Sequence, residues 1–151
     1  MSAWGPGPFE NDDGSDWFAD LRDEPSLKMI RGAFKEISDP AHVGYIEVTD
    51  GAEAIAAAEV LAELLGSLGD DPVLDDELDE LAETLKAELK RENGRDIKRL
   101  VKQAIDALEV VLNDEENSEL RQMWNEQAEE LAVWTEAVIS LQERLQVVVR
   151  P

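Results

Sequence analysis

The stretch AEAIAAAEVLAELLG, residues 52–66, leaves this chain few folds to choose from. Its residues are strong helix formers, and as a helix it is apolar on nearly every side except at Glu53, Glu59 and Glu63. A helix that is apolar all round is stable only in the middle of a fold, and its alanines let neighbouring helices come close. The rest of the chain is therefore expected to supply the helices that surround it. Asp50 and Glu53 form a D-x-x-E start signal close to a capping box, and Gly66 and Gly69 mark the stop.

The flanking sequence supplies such partners. A first helix is expected from about Asp13 to Arg22, capped by Asn11, Asp12 or Asp13, with Trp17, Phe18 and Leu21 on its apolar side. A second runs from Ser26 to Ile37 through Leu27, Ile30 and Phe34, and Ser38-Asp39-Pro40 ends it. A fourth is expected from about Asp76 to Arg91, with Leu78, Leu81, Leu85 and Leu89 in one stripe, and Asn93-Gly94 breaks the chain after it. The fifth, about Arg95 to Leu112, repeats its apolar residues at three and four. Its basic start (Arg95, Lys98, Arg99, Lys102) is expected to pair with the acids of helix four. The sixth is expected to run unbroken from about Ser118 to Gln146, with Trp124, Leu131, Val138 and Leu145 seven apart and Trp134 and Leu141 in a second seam. Residues 43–49, VGYIEVT, favour strand, and their one mate of similar character is Val147-Val148-Val149. The reading is a mainly α, single-domain bundle of about six helices over residues 1–151, with at most one short strand pair, a docked N-terminal segment at 1–12 and an acidic loop at 70–76.

Composition narrows function by exclusion. Asp and Glu number 36 against 14 Lys and Arg, a net charge of −22. Such a field repels nucleic acid and anionic membranes, so neither is an expected direct partner. A basic protein is the expected partner, and the chain is expected to be a monomer or a dimer. Carboxylates standing in for phosphates, as in a nucleic-acid mimic, are a second reading of the same charge, and plain solubility is the third. No cysteine is present, which removes disulfides, thiolate chemistry and Cys-based zinc sites. The opening residues lack the basic and apolar regions of a secretory signal, and no apolar run approaches the roughly 20 residues of a membrane span. Cytoplasm is the expected location.

Three groups of residues compete as sites. The opening segment WGPGPFENDDGSDW gathers Trp4, Gly5, Gly7, Phe9, Asn11, Asp12, Asp16 and Trp17. The aromatics either anchor the segment to the bundle or line a pocket. Asp12, Asp16 and Asp20 fall at i, i+4 and i+8, so one helix face presents three carboxylates. Oxygen ligands of this kind suit Mg²⁺ or Ca²⁺, although the spacing is not that of an EF-hand, and capping and helix-dipole stabilisation explain the same acids. The third group is Glu53, Glu59 and Glu63, of which Glu59 and Glu63 share a face; they are expected to line a solvent-facing edge, and buried they would be candidates for general acid chemistry. His42 has no second His or Cys to complete a zinc site, and no G-x-S-x-G or P-loop occurs. No catalytic residue and no cofactor is assigned beyond a divalent cation at the N-terminal acids.

A Trp-Gly, a Gly two further on, then Phe-x-Asn-Asp and a later Asp before an aromatic resembles the start of the bacterial domain-of-unknown-function family 4259. DGAEAIAAAEVLAELLG (50–66) and SELRQMWNE (118–126) are also similar to that family. The resemblance implies a small, cytoplasmic, helical protein without an assigned activity. It implies that Trp4, Gly5, Gly7, Phe9, Asn11, Asp12 and Asp16 form one cluster. Gly14 stands where members often carry Ala, which is expected to weaken the first helix slightly. The resulting expectation is a non-enzymatic protein that binds a basic partner, in a toxin-neutralising or defence-related role. The alternative is an enzyme that uses the N-terminal acids with a metal or works through carboxylates alone.

Overall fold

The structure is a computed structural model that describes residues 7–38, 45–69, 74 and 79–149. Among them lie seven α-helices: α1 Asp12–Asp23, α2 Leu27–Ser38, α3 Val48–Leu64, α4 Asp79–Arg91, α5 Gly94–Asn113, α6 Glu119–Asn125 and α7 Ala128–Val149. Every other helix packs against α3. Ala54, Ala56, Ala57, Ala58, Val60, Leu61 and Ala62 are all completely buried, as an all-round apolar helix requires. No helix among the described residues is long and apolar enough to cross a membrane.

The ends of α3 explain its position. At its C-terminus Gly66 adopts φ +89°, a left-handed conformation that glycine takes without a Cβ penalty. The Ser67 N–H then donates to Ala62 O at 2.9 Å and the Gly66 N–H to Glu63 O at 3.0 Å, the paired bonds of a Schellman stop. The N-terminus starts earlier than the D-x-x-E signal, at Val48, and Asp50 sits within the first turn. The cap comes from elsewhere in the chain: the Val48 N–H donates to Glu119 Oε1 of α6 at 3.0 Å. Placing a carboxylate at a helix N-terminus also offsets the helix dipole.

Two sequence expectations are corrected here. Val147 and Val148 belong to α7, so they do not pair with VGYIEVT. Ile46 instead makes an isolated parallel bridge to Ser118, with Ile46 N–H donating to Asn117 O at 2.7 Å and Glu119 N–H to Ile46 O at 2.9 Å. Val48 and Thr49 are already helical, because the pull of the capped α3 outweighs their β preference; Val43 and Gly44 lie outside the described residues. The second correction is the long last helix, which is broken at Glu126 and Gln127 into α6 and α7. Trp124 and Trp134 stack with ring centroids 6.1 Å apart and planes 17° from parallel. In one continuous helix, positions ten apart are separated by about 15 Å along the axis, so the stack requires the break.

Other helix ends are closed both by neighbouring side chains and by side chains of other helices. Asn11 caps α1, Asn93 caps α5 through a 2.8 Å bond from Asp96 N–H, and Ser118 caps α6. The α2 N-terminus receives a carboxylate from α4, with the Leu27 N–H donating to Glu88 Oε2 at 2.8 Å. Arg121 of α6 donates to Leu112 O at 2.7 Å and so closes the C-terminal end of α5.

Close packing around α3 has a measurable consequence. Ala57→Leu is expected to lower unfolding free energy by about 1–3 kcal/mol, because added methylenes have nowhere to go in a filled core. Ala87→Leu, on the exposed side of α4, is expected to stay within about 0.5 kcal/mol of the parent. Urea unfolding of both variants checks this.

Candidate functional site

The described part of the N-terminal segment is a turn locked onto α1. The Glu10 N–H donates to Gly7 O at 3.1 Å, and the Glu10 carboxylate returns to accept the Gly7 N–H at 3.0 Å. Asn11 is buried, its Oδ1 accepting the Gly14 N–H at 2.6 Å. A Cβ on Gly14 would stand 2.5 Å from the Pro8 carbonyl oxygen. Gly14 is therefore more than a helix-weakening residue: it lets the turn lie against the helix. Phe9 packs on Phe18 with ring centroids 5.0 Å apart, and Trp17 is in the core. Gly7, Phe9, Asn11 and Trp17 thus serve one docked turn, while Trp4 and Gly5 lie outside the described residues.

The acids of α1 divide by exposure. Asp12, Asp16 and Asp20 are exposed and Asp13 is half-buried. Among the described residues no three acidic or histidine side chains form a group able to hold a metal ion. The structure does bring Asp13 and Asp20 into the neighbourhood of Glu53, which joins two of the groups read from sequence. Burial pushes the half-buried Glu53 carboxyl up from 4.5 to about 7, and the charges of Asp50, Asp13, Glu36 and Asp20 add to the shift. Three helices supply this corner: α1, α2 and α3. A carboxyl poised near neutrality can give or take a proton, and it reports a strongly negative local field.

Glu59 and Glu63 correct another expectation. Both are buried, at 8% and 4% exposure, where a solvent-facing edge was expected. Fully buried glutamates need partners. Arg144 of α7 meets Glu59 in a two-pronged pair of 2.8 and 2.6 Å and also donates to Ser67 O at 2.8 Å. Gly69 passes so close that a Cβ there would lie 2.8 Å from the guanidinium. Glu63 accepts the Leu74 N–H at 2.9 Å. These two acids tie α7 and the segment after α3 to the central helix. The sequence carried one signal of this: Arg144 is a cation wedged between the seam residues Leu141 and Leu145.

Sequence reasoning missed a further arrangement altogether. The Tyr45 hydroxyl donates to Glu119 Oε2 at 2.7 Å while the other oxygen of Glu119 caps α3. These bonds hold the Glu119 carboxyl below the usual carboxylate range and push the Tyr45 hydroxyl above its ordinary value. An open groove of about 380 Å³ lies beside them. Two cations of α5 also behave differently from expectation: Arg99 and Lys102 pair with Asp96 and Asp106 of α5 itself, and Glu92, just past the end of α4, pairs with Arg31 of α2 at 3.3 Å.

The family model described as a domain of unknown function, DUF4259, matches residues 2–137. No curated protein and no solved structure matches the chain.

Two outcomes follow from this geometry. Glu53 binds its proton more tightly folded than unfolded, so its contribution to stability is fully present below about pH 4.5 and is lost as pH rises through about 7. Glu53→Gln is expected to raise stability at pH 8 by about 1 kcal/mol, a figure reduced for solvent screening, and to flatten the pH dependence of urea unfolding between pH 5 and 8. Breaking the Glu59–Arg144 pair with Arg144→Leu is expected to cost on the order of 3 kcal/mol, and replacing both residues by Leu is expected to cost less than the single change. A double-mutant cycle measures it.

Proposed function

The chain belongs to the DUF4259 family, a domain of unknown function, and from that premise we propose that it is a non-enzymatic interaction protein whose acidic surface binds a basic protein. The observation that carries this reading is the corner where α1, α2 and α3 meet. Exposed Asp20 and Glu36 sit there with Glu53, a carboxyl that loses its proton only near neutrality because it is half-buried among other acids. Lysine or arginine side chains docked on this corner would relieve the mutual repulsion of its carboxylates. The −22 net charge would speed their encounter by long-range attraction. A toxin-neutralising or other defence role in the cytoplasm fits such a protein, because masking a basic surface is a charge-complementarity task.

A second reading takes the Glu53 carboxyl as a proton donor or acceptor in a carboxylate enzyme, favoured by its value of about 7. The two readings differ in what Glu53→Gln does. It abolishes turnover in an enzyme, and it leaves most of the affinity of a surface held by many charges.

The test is recovery of a partner from the native cell lysate with the protein tagged at its C-terminus, at low and high salt. One basic protein in stoichiometric amount is expected, released as salt screens the contact and retained less by the Asp20→Asn/Glu36→Gln double variant. Salt-insensitive capture, or capture unaffected by that variant, would contradict the reading.

A further inference from the structure

The chain has one tyrosine, and it is held out at the surface. Tyr45 is 46% exposed, yet it is fixed from two sides. Its hydroxyl is committed to Glu119 at 2.7 Å, and its neighbour Ile46 is bonded to Asn117 and Glu119 through the backbone. What the tyrosine leaves open is its ring. The groove of about 380 Å³ beside it is lined by Tyr45, Val48, Glu119, Gln122, Met123 and Glu126. Val48 and Met123 pack on the core and form an apolar floor. Glu119 and Glu126 stand at the polar rim, and Glu119 is kept ionised by the hydrogen bonds it accepts.

We propose that this groove seats one arginine or lysine side chain of the basic partner. The inference rests on the reading of the protein as a binder of basic proteins and adds the place and the chemistry of one contact. An arginine or lysine has an apolar stem and a charged head. The stem fits the Val48–Met123 floor, and the head meets the Tyr45 ring face and the rim carboxylates. Cations are drawn to aromatic faces by the ring quadrupole. An anion would meet two carboxylates, and a wholly apolar group would strip water from them without replacing it. Because the Glu119 bond and the Ile46 bridge already hold Tyr45 in place, little side-chain freedom is lost on binding, which favours affinity.

Acetyl-triarginine amide is the probe, titrated at low salt into the ¹⁵N-labelled full chain and followed by NMR. Shift changes are expected to centre on Tyr45, Val48, Met123 and Glu126. Tyr45→Phe keeps the ring and is expected to retain binding, and Tyr45→Ala is expected to weaken it about fivefold. Glu126→Gln leaves Tyr45 in place and is expected to weaken it as well, so a misfolded alanine variant cannot decide the matter alone. Shifts confined to residues 12–20 and Glu53, with no effect of Tyr45→Ala or Glu126→Gln, would overturn the groove assignment and leave the broader reading standing. Absence of any binding at low salt would overturn both.

Discussion

Burial of α3 on all sides is the constraint on which the rest of this structure depends. A helix whose alanines, leucines and valines point in every direction gains nothing from water on any face. Six other helices must therefore touch it, and they do. The alanines are what make this feasible, since small side chains let several helix backbones crowd one axis. The same constraint fixes the fate of the acids on that helix. Glu59 and Glu63 are carried inside with it, and each meets a partner from outside the helix, Arg144 of α7 and the Leu74 amide. The buried pair is thus a consequence of the central helix, and it also sets the register of α7 upon it.

The charge that the core cannot hold is displaced to the periphery. Docking α1 through Trp17 and Leu21 brings Asp13 and Asp20 beside Glu53. Docking α2 adds Glu36 to the same corner. The fold pays for this with repulsion among like charges, and a protein that used the corner to bind a basic surface would recover that energy in the complex. The N-terminus of α3 carries a related device. Glu119 caps the helix and holds Tyr45 at once, so SELRQMWNE has a clear structural role: Ser118 caps α6, Glu119 caps α3, Arg121 closes α5 and Trp124 stacks on Trp134.

What the sequence made legible was local or periodic. The all-round apolar α3, its stop at Gly66, the Asn93-Gly94 break and the Asn11 cap each follow from a few adjacent residues and appear where expected. What it concealed was long-range. The break between α6 and α7 lets two tryptophans ten positions apart stack on each other, a contact that no local signal announces. The cap on α3 comes from a glutamate 71 positions away, which no local signal announces. Strand preference at Val48 and Thr49 is real chemistry outweighed by that cap, leaving among the described residues an isolated bridge at Ile46. The site candidates fared similarly. Asn11, Phe9 and Trp17 were recognisable as a docked cluster. The corner joining Asp13, Asp20 and Glu53 required knowing that α1 lies on α3.

The most direct measurement of the central claim is native-state hydrogen exchange of the full chain under increasing urea. If α3 is the helix on which all others pack, the amides of Ala54–Leu64 exchange only through global opening, with free energies equal to that from equilibrium unfolding. If those amides open at a lower free energy while the α5 amides stay protected, α3 is not the element that holds the fold together.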